Sequence, residues 1–241
     1  MSRLSLPAGI ALAALGLAFV HPAQAQTSIQ FKGQGTVLTS GQLAGVIPTT
    51  HYNVLSGLSG TSGFLLDNAG NGTLIKASFS APTNYNSSSG TGTANGTLMS
   101  GYLDSKETGS NPTVITDPSV TVSGLDPTKS YSVYAYFNTD HVGSSAGQSD
   151  RIAQYTIGST TFTANLQPGK AFDASAANGG FIAAVGSSTT SANVANYALF
   201  SNVKGSSFTL TTKSLSSADP YPRSPINGLQ IFTNNSASAA P

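Results

Sequence analysis

The chain has 241 residues and a formal net charge of +1, and charged residues make up 8% of it, against about a quarter of an ordinary globular protein. Cysteine and tryptophan are absent. These figures exclude a basic nucleic-acid footprint, a disulfide framework and thiolate chemistry, and they leave solubility to hydroxyl and amide side chains.

The first predicted element is a secretory signal peptide over residues 1–25. Arg3 precedes an apolar run from Leu6 to Val20, and Ala23-Gln24-Ala25 supplies a small-residue cleavage site. That run is about 15 residues, short for a bilayer span, so no transmembrane anchor is expected. The remaining 216 residues balance nine Lys and Arg against nine Asp and Glu once Arg3 is removed. They suit one β-domain over 26–233, followed by a small polar tail at 234–241. The expected location is secreted or periplasmic, and a cysteine-free exported β-protein points to a bacterial source.

Short β-branched and aromatic runs between Gly, Ser, Asn and Pro clusters predict strands at 28–32, 52–55, 64–67, 73–80, 96–103 and 119–125. Residues 82–101 are so rich in Ser, Gly, Thr and Asn that an extended loop or short edge strands are expected there. The clearest strand is 130–138, with Tyr131, Val133, Ala135 and Phe137 on one face and Ser132, Tyr134, Tyr136 and Asn138 on the other. The next, 151–158, alternates Ala153, Tyr155 and Ile157 with Gln154 and Thr156. A Gly- and Ser-rich loop over 139–150 predicts that these two form an antiparallel hairpin, which Gly158-Ser159 extends into a meander with 160–165. Further strands are expected at 197–203, 207–213 and 226–232. Phe208, Leu210 and Thr212 should face inward, and the last strand should close the sheet. Strands this numerous predict an all-β, two-layer antiparallel β-sandwich or jelly roll, because one sheet's apolar face needs a second to cover it.

Gly101-Tyr102-Leu103-Asp104, Val120-Thr121-Val122-Ser123-Gly124-Leu125, the run from Tyr131 to Phe137, Asn196-Tyr197-Ala198-Leu199-Phe200-Ser201, Ser207-Phe208-Thr209-Leu210 and the run from Pro225 to Ile231 carry a resemblance. They look like secreted bacterial β-sandwich modules of galactose-binding-like or jelly-roll type. Such modules occur in exported proteins of the PEP-CTERM kind, whose sorting tail this chain lacks. The resemblance implies a sandwich fold and a place in polysaccharide-handling or cell-surface proteins.

Enzyme signatures fail on context. Gly143-Ser144-Ser145-Ala146-Gly147 matches a nucleophile elbow and follows Asp140 and His141, but it lies in a loop between strands instead of a strand-turn-helix unit. Asp104 and Glu107 are the only close acid pair, in a polar loop with nothing to raise a pKa. Asp67, Asp117, Asp126 and Asp219 adjoin Asn or Pro, as turn-defining carboxylates do. The Asp67–Gly72 segment superficially resembles a calcium loop, but Ala69 and Ser78 occupy ligand positions, so a tight turn is expected. No cofactor is expected, although oxygen-rich loops leave room for a structural calcium ion. His51 and His141 stand outside any ligand-spaced cluster.

Aromatic residues on a wet strand face suit saccharides, whose C–H faces stack on rings while amides and hydroxyls bond the sugar hydroxyls. Tyr134 and Tyr136 fit this pattern, and in the expected hairpin they would neighbour Gln154 and Thr156, with Asn138, Asp140 and Arg151 at the loop end. The leading expectation is therefore a secreted non-catalytic module that binds a polysaccharide or cell-surface glycan, or another extracellular surface. The alternatives are a structural or adhesive matrix protein and, third, an exported hydrolase.

Overall fold

Period-two alternation of apolar and hydroxyl residues leaves each strand one greasy side, and burying it builds two stacked sheets. The computed structural model describes residues 26–87, 92–108, 114–139, 151–166, 179–215 and 223–234. The expected signal peptide, most of the loop bearing Asp140, His141 and Ser145, Asp219, and the tail beyond Asn234 lie outside the described residues.

The first part of the chain forms β1 (Gln26–Phe31), β2 (Asn53–Leu55), β3 (Ser59–Thr61), β4 (Lys76–Ser80), β5 (Thr83–Asn86), α1 (Ala94–Leu98), β6 (Gly101–Asp104), β7 (Lys106–Thr108) and β8 (Val114–Thr116). It continues through β9 (Ser119–Ser123), β10 (Ser130–Tyr136), β11 (Ile152–Ile157), β12 (Thr160–Asn165), β13 (Tyr197–Lys204), β14 (Ser207–Ser214) and β15 (Gly228–Asn234). One sheet has the order β13-β10-β15-β1-β2, antiparallel except between β1 and β2. The other, β12-β11-β14-β9-β4-β3, is antiparallel throughout. Two small ribbons, β5-β6 and β7-β8, accompany them.

The expected two-layer all-β sandwich is thus the observed architecture. Its core joins Ile29, Phe31, Val133 and Ile231 of the five-stranded sheet to Ala77, Val120, Tyr155 and Leu210 of the six-stranded one. Rings meet across the layers. Phe31 and Phe79 lie 5.5 Å apart, Phe137 stacks on Tyr155 at 3.9 Å, and Phe162 meets Phe200 edge-on at 5.1 Å. Phe208, Leu210 and Thr212 face inward as the alternation requires.

Four expectations need correction. The hairpin joining 130–138 to 151–158 does not form, because β10 pairs with β13 and β15 while β11 pairs with β12 and β14. The connection between them spans more than a tight turn, so the chain crosses between layers; only the β11–β12 turn is local. The strand expected at 226–232 lies between β10 and β1 instead of closing an edge. The strand expected at 96–103 divides into α1 and β6, because the Thr93 hydroxyl accepts the Gly96 N–H at 2.9 Å and starts a helical turn. Gly101 then passes so close to the Lys32 carbonyl that a Cβ would collide with it. The strand expected at 64–67 is reduced to an isolated bridge between Leu66 and Gly72.

Among the described residues, no helix is long and apolar enough to cross a membrane.

Candidate functional site

The two outward faces of the sandwich meet different fates. On the five-stranded sheet, Tyr136 is completely buried in a second apolar cluster with Leu38, Ala44, Tyr52, Leu98, Met99 and Phe181. Its hydroxyl donates to Gln230 Oε1 and accepts the Val46 N–H at 2.8 Å. Burial, with the nearby Tyr52 phenol as a smaller cause, pushes the Tyr136 pKa well above its ordinary value.

Two glutamines on this face fasten the covering chain. Gln230 Nε2 reaches the Ile47 carbonyl at 2.8 Å and Thr49 Oγ1 at 3.0 Å. Gln30 Nε2 donates to the Thr36 and Thr97 carbonyls at 2.9 Å, and its Oε1 accepts the Leu38 N–H. Tyr134 is half-buried against Tyr197 at 6.1 Å and Phe232 at 5.6 Å.

The recognition platform expected from Tyr134, Tyr136 and their neighbours is therefore not assembled. Asn138 is buried and donates through its backbone N–H to Asn227 Oδ1 at 2.6 Å. Arg151 is buried as well. Gln154 and Thr156 lie on the other sheet, and Asp140 lies outside the described residues. The signal that was missed is the pair of outward glutamines, whose amides hold a long loop with no strand of its own.

The six-stranded sheet leaves most of its outward face open and lines it with hydroxyls; only at Thr163 of β12, among the described residues, do Gly186 and Ser187 cover it. One row runs Ser59, Ser80, Ser119, Thr211, Thr156 and Thr161, one residue from each strand, and none of them is buried. A second row runs Thr61, Ser78, Thr121 and Thr209. Neighbouring hydroxyls bond at 2.9 Å in the pairs Thr61–Ser78, Thr121–Thr209 and Thr156–Thr161. Strand spacing places rows' members about 4.8 Å apart, and the pleat separates successive rows by about 6.8 Å. The only charged side chains of β3, β4, β9, β11, β12 and β14 are Lys76 and Lys213. At the rim, Phe64 is 59% exposed, with Lys76 Nζ 4.4 Å from its ring centre. Threonine suits both demands, since its branched carbon favours the strand and its hydroxyl is donor and acceptor.

The acidic residues are engaged elsewhere. Asp104 is buried and paired with Arg223, whereas Glu107 is exposed on β7, so the two carboxyls do not share a site. Asp117 Oδ1 accepts the Ser105 hydroxyl at 2.7 Å, the Ser224 hydroxyl at 2.9 Å and the Ser214 N–H at 3.0 Å. Asp67 Oδ1 caps its turn by accepting the N–H groups of Ala69 and Asn71. No group of three His, Cys, Asp or Glu is placed to share a metal ion among the described residues.

No protein-family model and no curated protein matches the chain. Among solved structures, the ANXUR1 extracellular domain from Arabidopsis thaliana aligns with a TM-score of 0.43 and 15% identity, over 86% of this chain and 47% of that one. The chain thus spans about half the length of that structure, and a likeness at this level carries no functional argument.

Proposed function

We propose that the protein is an exported, non-catalytic module that recognises a carbohydrate surface through the open face of its six-stranded sheet, without a cofactor. The observation that supports this reading is the hydroxyl row that crosses all six strands. A polysaccharide presents repeated hydroxyls of both donor and acceptor kind, and a rigid sheet meets them with little conformational entropy to lose. Exposed Phe64 offers an apolar stop at one end. The absence of acidic residues from these strands removes like-charge repulsion toward acidic glycans as well.

The test is a glycan array read with and without a chelator. The wild-type protein is expected to bind a subset of polysaccharides equally in both conditions. A Thr121→Val, Thr156→Val, Thr211→Val variant removes three hydroxyls from β9, β11 and β14 while keeping side-chain shape, and is expected to lose at least tenfold in affinity. Undiminished binding by that folded variant overturns the proposal.

A further inference from the structure

The two sheets part at one rim of the sandwich, where β13 hands the chain to β14, and leave a cleft of about 480 Å³. Its apolar lining is Ile157, Phe200, Val203 and Phe208. Local irregularities shape its mouth. Tyr131 pairs with Val203 but Val133 pairs with Phe200, so β13 carries one extra residue there, a β-bulge at Ser201 and Asn202. Asn202 has a φ of 58°, in the left-handed region where asparagine is tolerated better than most residues. Bulges re-aim side chains next to binding sites, and this one places Asn202 at the cleft beside Ser201. The β11–β12 turn contributes Ser159 and Thr160 from the opposite side.

Among the described residues, Lys204 is the only ionisable side chain lining the cleft. It forms no ion pair with another described residue, and it is exposed. A cleft of this size accommodates a small organic ligand. Its apolar floor suits the C–H face of a sugar ring, its rim of hydroxyls and one amide suits ring hydroxyls, and its single cation favours an anionic group over a neutral one.

We infer that this rim cleft binds an acidic sugar, a uronic acid unit whose carboxylate meets Lys204 and the Asn202 amide. The site adjoins the open hydroxyl face, with which it shares Thr209, but does not depend on that face being a recognition surface.

Titration calorimetry with D-glucuronate, D-galacturonate, a galacturonate trimer and neutral D-galactose tests the inference. At least one acidic ligand is expected to bind at least tenfold more tightly than galactose, with affinity falling as salt rises. Monomer binding identifies a free acid sugar as sufficient, whereas trimer binding alone assigns the cleft to a unit within a chain. Lys204→Gln is expected to weaken binding at least tenfold and Lys204→Arg to restore most of it. Asn202→Gly, which keeps the left-handed backbone, removes only the amide and should weaken binding severalfold. A Thr156→Val, Thr211→Val variant, which leaves the cleft-lining Thr209 and its Thr121 partner intact, should bind the acid unchanged, so the two sites fail or hold separately. Equal affinity for galactose and the acids, no binding of any acid, or an unaffected Lys204→Gln variant overturns the inference.

Discussion

The outward faces of the two sheets start from the same alternation and end as opposites. On β10 and β15 the outward residues include Tyr134, Tyr136, Gln230 and Phe232, large side chains that a covering loop can grip. On β9, β11 and β14 they are chiefly Ser, Thr and Gln, which offer a covering segment little apolar area. Outward aromatic residues on a strand thus predict a hidden third layer as readily as a binding platform, whereas continuous hydroxyls predict a face that stays wet.

Variants that attack the covered face should have the largest effects. Tyr136→Ala empties a wholly enclosed site and is expected to cost about 3–5 kcal/mol in denaturant unfolding. A loss below about 1 kcal/mol would mean that the loop does not seal this face. Gln230→Leu leaves the Tyr136 hydroxyl proton without its acceptor and the Ile47 carbonyl without its donor, at a cost of about 2–3 kcal/mol. Hydrogen exchange should then show residues 44–49 opening before the sheets do.

On the wet face, Thr156→Val should shift stability by no more than about 0.5 kcal/mol, because both side chains suit an exposed strand. A large loss there would show that the face is packed against something.

The smallest effect lies beyond both faces. The Thr128 hydroxyl and backbone N–H, with Lys129 nearby, hold the Asp126 carboxyl below its ordinary value. Its contribution is present above the unfolded pKa of about 3.9 and is lost as pH falls through the lower folded value. Melting temperature measured against pH should therefore be slightly higher for wild type than for Asp126→Asn near neutrality, and the two should converge in acid as the wild-type contribution is lost.

Residue alternation made the fold class and most strands legible. Val120 and Val122, or Phe208 and Leu210, announce their inward side without any knowledge of partners. Pairing was not legible, since β10 takes its neighbours from β13 and β15, far along the chain, and local turn chemistry says nothing about them. For the candidate face, Gln154 and Thr156 were recognisable as wet, but their true neighbours Lys213 and Thr211 follow from a register with β14 that only the assembled sheet defines. The Asn202 bulge has a comparable origin, in a mismatch between two distant strands.

The most direct test of recognition by the open face is a threonine-methyl NMR titration with the polysaccharide that binds most strongly on the array. Signals of Thr121, Thr156 and Thr211 are expected to move together and saturate, while the ring signals of Tyr134 and Tyr136 stay in place. Movement of the tyrosine signals with the threonine methyls unchanged would contradict the account and return recognition to the face that the covering loop closes.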